Sequence, residues 1–195
     1  MDLDALKEVA NIGTGQASMA LSVLFDQRVD IGLPRTSVIK LSDIGKDFNS
    51  SDTMVGIYSR IKEGLLGNIL LILPLTSALN LTNKLYNKSS TRLEDDDVQV
   101  LSKVGSIINS CYLNGVAQLL SQRVVFNAPN VVSIFGNSLK DFLAVSLSDD
   151  AKILVVNIDF NIKEFNVSGG FILILTLESI YPLITRLQQK MLGKV

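Results

Sequence analysis

Small and apolar residues recur at three- and four-residue intervals from Asp2 to about Phe25, at Leu6, Ala10, Gly13, Ala17, Leu21 and Leu24. This spacing predicts one amphipathic helix. Gly13 and Gly15 lower its helix propensity, and close packing is the expected reason for both. The period then shortens. Arg28 to Ile31, Val38 to Leu41, Met54 to Ile61 and Leu66 to Leu73 read as strands, the last so apolar that both of its faces should be buried. A second helix is predicted from Ser77 to Tyr86, with Leu79, Leu85 and Tyr86 among its buried positions. Asn87 to Thr91 reads as a polar turn, and the acidic run Glu94 to Asp97 opens a third helix where the positive end of the helix dipole favours carboxylates. The last helix is expected from Glu178 to Met191, with Pro182 tolerable only in its first turn.

The pattern of the first half returns in the second. A shift of 95 positions lays Leu6 on Leu101, Val9 on Val104, Ile12 on Ile107, Leu24 on Leu119 and Pro34 on Pro129, and the tripeptide Gln27-Arg28-Val29 falls on Gln122-Arg123-Val124. Farther on the shift grows, and Gly67 to Leu73 corresponds to Gly169 to Leu175. Solenoids and propellers repeat at about 20 to 50 residues, so this longer period predicts a duplication within one domain spanning 1–195, with pseudo-repeats of about 1–90 and 91–195. Helices and strands do not alternate strictly. The expected fold is therefore α+β with a pseudo-twofold axis, about six strands in a sheet packed with long helices.

Composition narrows the chemistry. Hydrophobic residues make up 47% of the 195 and charged residues 19%, as in a globular chain with a real core. Eighteen basic against nineteen acidic residues leave a formal charge of -1, which argues against nucleic acid or an anionic membrane as partner. There is no histidine and only one cysteine, Cys111, so histidine-ligated metals, Ser-His-Asp triads and Cys-His dyads are excluded. No metal site is expected. The lone thiol and a start lacking a basic leader point to the cytoplasm, and the longest apolar run, Ile69 to Leu75, is far short of the roughly 20 residues a membrane helix needs.

Asp4, Glu8 and Asn11 fall on one stripe of the first helix, away from Leu6, Ala10 and Ala17. A carboxylate and a carboxamide aimed together can pair with a cation and orient a water, although neither is a strong nucleophile. Taken by spacing alone, such a stripe is more often the solvated side of an ordinary helix.

The run Leu3-Asp4-Ala5-Leu6-Lys7-Glu8-Val9-Ala10-Asn11-Ile12-Gly13-Thr14-Gly15-Gln16-Ala17 closely resembles the first helix of the CheC family of chemotaxis phosphatases, which includes CheX and FliY types. That family's signature is Asp or Ser, three residues, Glu, two residues, Asn, twenty-two residues and Pro; Asp4, Glu8, Asn11 and Pro34 meet every position and gap. The Glu63-Gly64 and Gly67-Asn68 turn also looks CheC-like, which extends the likeness over nearly the whole chain. The resemblance implies a phosphatase acting on the phospho-aspartate of the response regulator CheY. Asn11 would hold the attacking water, and Glu8 would anchor the regulator through its active-site lysine. Pro34 would shape the turn beside the helix. Asp4 is either a motif position or simply a charge favoured at the helix start. The chain would need no cofactor of its own, since the Mg²⁺ is carried by the phosphorylated regulator.

In the second half the same register holds Gln99, Lys103 and Ser106, and only Pro129 survives. Lys103 would repel the regulator's lysine and Ser106 is too short to replace the amide, so this second site is expected to be inactive. Asn109 lies one turn farther along and about 4.5 Å higher, a poor substitute. The alternative reading is a binding module, its second half reshaped to hold the receptor deamidase CheD or to dock at the flagellar switch.

Overall fold

The computed structural model describes residues 3–44, 53–134, 151–181 and 185; the side chains of residues 3–9, 119, 120 and 134 fall outside that description. Helix α1 spans Leu3–Phe25, followed by β1 (Asp30–Ile31), β2 (Arg35–Lys40), a 3₁₀ turn at Leu41–Asp43, β3 (Met54–Glu63), β4 (Gly67–Pro74) and α2 (Leu75–Tyr86). Helix α3 (Asp95–Leu120) leads into β5 (Val125–Phe126), β6 (Asn130–Ile134), β7 (Lys152–Ile162), a 3₁₀ turn at Lys163–Phe165 and β8 (Val167–Thr176). A final helix begins at residue 177 and is described through 181 and at 185; Pro182 and the other residues of the predicted segment to Met191 lie outside the described residues.

The result is a mixed α+β fold whose described strands, eight rather than about six, join in one antiparallel sheet. Strand β1 falls within the predicted Arg28 to Ile31, whereas β5, only two residues long, is too short to show alternation. The order runs β1-β7-β8-β4-β3-β5, with β2 also on β7 and β6 also on β3. It reads alike from either edge. Ile31 pairs with Phe160 and Phe126 with Ile61; Arg35 pairs with Asn157 and Asn130 with Tyr58. The turns that leave α1 and α3 match as well. Asp26 and Ser121 both sit at φ 48°, and the next amides, Gln27 and Gln122, reach back to the carbonyls of Ser22 and Ala117.

The sheet is buried on both sides at its centre, as the apolar run of β4 predicts. Ile69, Leu71 and Leu73 join the larger core beneath the helices, while Leu70 and Ile72 turn to a second cluster with Ile153, Val155, Ile172, Ile174, Leu41 and Ile44. Each such side chain contributes about 1.5–3 kcal/mol by leaving water. Helix α1 lays Ala10, Ala17, Leu21 and Phe25 on the larger core, against α3 with Val104, Ile108, Tyr112 and Val116. Gly13 lets the helices meet, for a Cβ there would stand 2.7 Å from the Tyr112 ring. Gly15 does not share that role, since an added Cβ would have nothing within 4 Å among the described residues. On α2 the buried residues are Ser77, Ala78, Leu81 and Thr82; of those expected inside, Leu79 and Leu85 are half-buried and Tyr86, the last residue of the helix, is 50% exposed.

Candidate functional site

Helix α1 carries Asp4, Glu8 and Asn11 at backbone positions one or two turns apart, which places them on one stripe. The side chains of Asp4 and Glu8 lie outside the described residues. Asn11 is exposed, opposite the buried Ala10, Gly13 and Ala17.

Pro34 reaches the same place through a bulge. Between the pairs Ile31–Phe160 and Arg35–Asn157, Gly32, Leu33 and Pro34 face only Ile158 and Asp159, so the chain bows outward. The Gly32 amide donates to the Asp159 carbonyl at 2.8 Å, and Leu33 is pushed to 85% exposure. Proline suits such a position because it has no N–H to lose from the ladder. Ion pairs brace the bow. Arg35 meets Asp159 at 2.8 Å, and Asp30 takes Arg28 at 2.9 Å and Lys163 at 3.2 Å. Hydrogen bonding from Lys163, and then from Arg28, holds the Asp30 carboxyl below its ordinary value. These pairs are solvated, so they fix geometry more than they stabilise.

The bow faces α1 across a shallow hollow of about 440 Å³. Asn11, Thr14, Gly15 and Ser18 line it from the helix, Leu33 and Pro34 from the bow. The structure thus joins Asn11 and Pro34, with twenty-two residues between them, at one concave surface. A larger hollow of about 750 Å³ opens on the other side of the bow, lined by Arg35, Asn157, Asp159 and Gly170, and includes neither Asn11 nor Pro34. Gly15, Ser18 and Leu33 were missed by sequence reasoning, although Gly15 and Ser18 stand one and two turns past Asn11.

In the second half, Gln99 and Lys103 are exposed on α3 and Ser106 is half-buried. Pro129 occupies the equivalent bulge between the pairs Phe126–Ile61 and Asn130–Tyr58, but it is buried and its carbonyl accepts from Ser102 Oγ at 3.0 Å. Asn109 is 1% exposed and donates through Nδ2 to Ser59 Oγ at 2.9 Å, so it faces the sheet and offers nothing to a partner. No helix among the described residues is long and apolar enough to cross a membrane.

The family model of the CheC-like family matches residues 1–38, the segment holding the helix and the bow. The chain is 26% identical over 148 residues to the CheY-P phosphatase CheC of Bacillus subtilis, an alignment covering 72% of this chain and 71% of that protein. Among solved structures, FliY of Thermotoga maritima superposes with a TM-score of 0.76 over 96% of each chain at 16% identity. In the FliG–FliM complex of Helicobacter pylori, one chain superposes at 0.67 over 91% of this chain and 96% of that one, at 12% identity. The N-terminal segment is thus similar to the CheC-like family, and the fold is shared with FliY of Thermotoga maritima.

Proposed function

We propose that the chain is a phosphatase acting on the aspartyl phosphate of the response regulator CheY. The observation that carries this reading is the exposed Asn11 at a hollow shared with Pro34, within the segment that matches the CheC-like family. Phosphoryl transfer passes through a loose transition state that requires positioning and electrostatics more than a strong base. A carboxamide both donates and accepts hydrogen bonds, so the Asn11 amide can hold a water in line with the phosphorus. Glu8 pairs with the regulator's lysine and Asp4 supports the helix start. The Mg²⁺ that neutralises the phosphoryl oxygens is the regulator's.

The test is the decay of phosphorylated CheY in Mg²⁺ with and without the protein. Asn11→Ala should lose about 10²- to 10³-fold in rate, as when one well-placed hydrogen-bonding group is removed. Glu8→Ala should weaken complex formation by about 2 kcal/mol or more, as for one partner of a buried charge pair. Equal decay with wild type and Asn11→Ala would rule the reading out.

The second reading is a binding module. It is favoured by the likeness to a chain of a complex named for FliG and FliM, and by Lys103 and Ser106 standing where a second motif would need Glu and Asn. Docking at the flagellar switch and binding of CheD belong to this reading. Retention on immobilised switch protein or CheD by an Asn11→Ala variant would separate it from catalysis.

A further inference from the structure

Nothing among the described residues requires Gly15 to be glycine. It lies inside α1 in ordinary right-handed helix, it is exposed, and a Cβ added to it would meet nothing within 4 Å. Alanine would fit, and glycine is the poorest helix former after proline. Gly13, two residues earlier, shows what an internal reason looks like, with the Tyr112 ring 2.7 Å from its absent Cβ. A role for this glycine is therefore to be sought at the surface it presents to a partner.

Gly15 stands one turn beyond Asn11, about 6 Å along the axis and about 40° around it. It lies on the wall of the same hollow, facing the bow that carries Leu33 and Pro34. An asparagine side chain is short. For its amide to touch a phosphoryl group borne on another folded protein, that protein's surface must come to contact distance of the helix backbone. A side chain one turn along would hold it away.

We propose that Gly15 is a clearance position, where bare helix backbone admits the aspartyl-phosphorylated regulator to within reach of Asn11. The inference rests on the phosphatase reading and deepens it. A second observation agrees with it. At the offset of 95, Asn11 falls on Ser106 and Gly15 on Ser110, so the half that lacks the amide also carries a side chain at the clearance position.

The experiment measures phosphate loss from phosphorylated CheY with Mg²⁺ over a range of regulator concentrations, for wild type, Gly15→Ala, Gly15→Leu and Val23→Ala, with a thermal melt of each. Val23 is 78% exposed on the same helix and does not line the hollow, so its replacement by alanine controls for helix propensity alone. Gly15→Ala and Val23→Ala should both melt higher than wild type. Only the Gly15 variants should raise KM, Gly15→Leu by about tenfold or more, with kcat changing less. A structural glycine would instead lower the melting midpoint. A folded Gly15→Leu with wild-type KM, or a Gly15→Ala that melts lower, overturns the clearance role while leaving the phosphatase reading standing. Wild-type protein that releases no phosphate overturns that reading, and the clearance role with it.

Discussion

Gly13 and Gly15 are two residues apart on α1 and turn about 200° away from each other, so one faces the core and the other the solvent. The periodicity that placed Ala10, Gly13 and Ala17 on the buried face therefore also excluded Gly15 from it, and a packing role for both was never compatible with the helix. What could not be read was how tightly α1 and α3 approach, since that depends on Tyr112 and Gly115 a hundred residues away. Gly13→Ala should be destabilising. Overpacking against the Tyr112 ring costs about 1–3 kcal/mol, only partly offset by about 1 kcal/mol of helix propensity. Urea unfolding would measure it, and a midpoint at or above wild type would contradict the tight crossing. Tyr112 itself offers a sharper test. Its ring is buried against Phe171, at 4.7 Å between centroids, and its hydroxyl has no hydrogen-bond partner among the described residues. Burial pushes that hydroxyl's pKa up, so it stays protonated. Tyr112→Phe should stabilise by about 1 kcal/mol, since it removes a buried polar group that gains nothing in return.

The long elements were legible from their periods, and the acidic opening of α3 from its charge, but the organisation at that opening was not. Asp97 is fully shielded as the third residue of a capping box: its carboxylate accepts from the Glu94 amide at 2.9 Å and from Lys88 Nζ at 2.6 Å. The segment expected to be a merely polar turn supplies that lysine, and it is tied to α2, where Asn83 bonds both the amide and the carbonyl of Ser90. Burial alone would raise the Asp97 carboxyl, yet the bonds from Lys88, the Glu94 amide and Thr82 outweigh it and hold it below the ordinary value. The bond with Asp97 holds Lys88 above its own. A carboxylate held low contributes stability that is fully present above the unfolded value of about 3.9 and is lost as pH falls through the folded one. A lysine held high contributes below about 10.4 and is lost as pH rises past its raised value. Asp97→Ala should cost about 1–2 kcal/mol near neutrality, as for loss of a helix cap. Unfolding measured from pH 7 to pH 3 should show a shallower acid loss in Asp97→Asn than in wild type. Parallel curves would mean that the pair carries no share of the acid sensitivity.

Across the whole molecule, the sheet order reads alike from both edges, the bulges at Pro34 and Pro129 correspond, and so do the helix exits at Asp26 and Ser121. The offset of 95 was visible in the sequence because helices and their exits keep their length. The drift farther on comes in two steps: Tyr58 and Asn157 occupy equivalent ladder positions 99 apart, and their partners Leu70 and Ile172 stand 102 apart, so residues are added both between β6 and β7 and in the turn from β7 to β8. If the halves are equivalent, chemistry should be transferable between them. On the phosphatase reading an Asn11→Ala background silences the first site, so phosphate released faster than from the regulator alone reports on the second. Installing Gln99→Asp, Lys103→Glu and Ser106→Asn restores the charge and amide to α3, where Gln99 and Lys103 already face solvent. Activity should return weakly, because Pro129 is buried and Ser110 still fills the clearance position. Adding Ser110→Gly should then increase it further through KM. A correctly folded set of variants that never exceeds the Asn11→Ala background would mean that the second half, although built to the same plan, does not present α3 to a regulator as the first half presents α1.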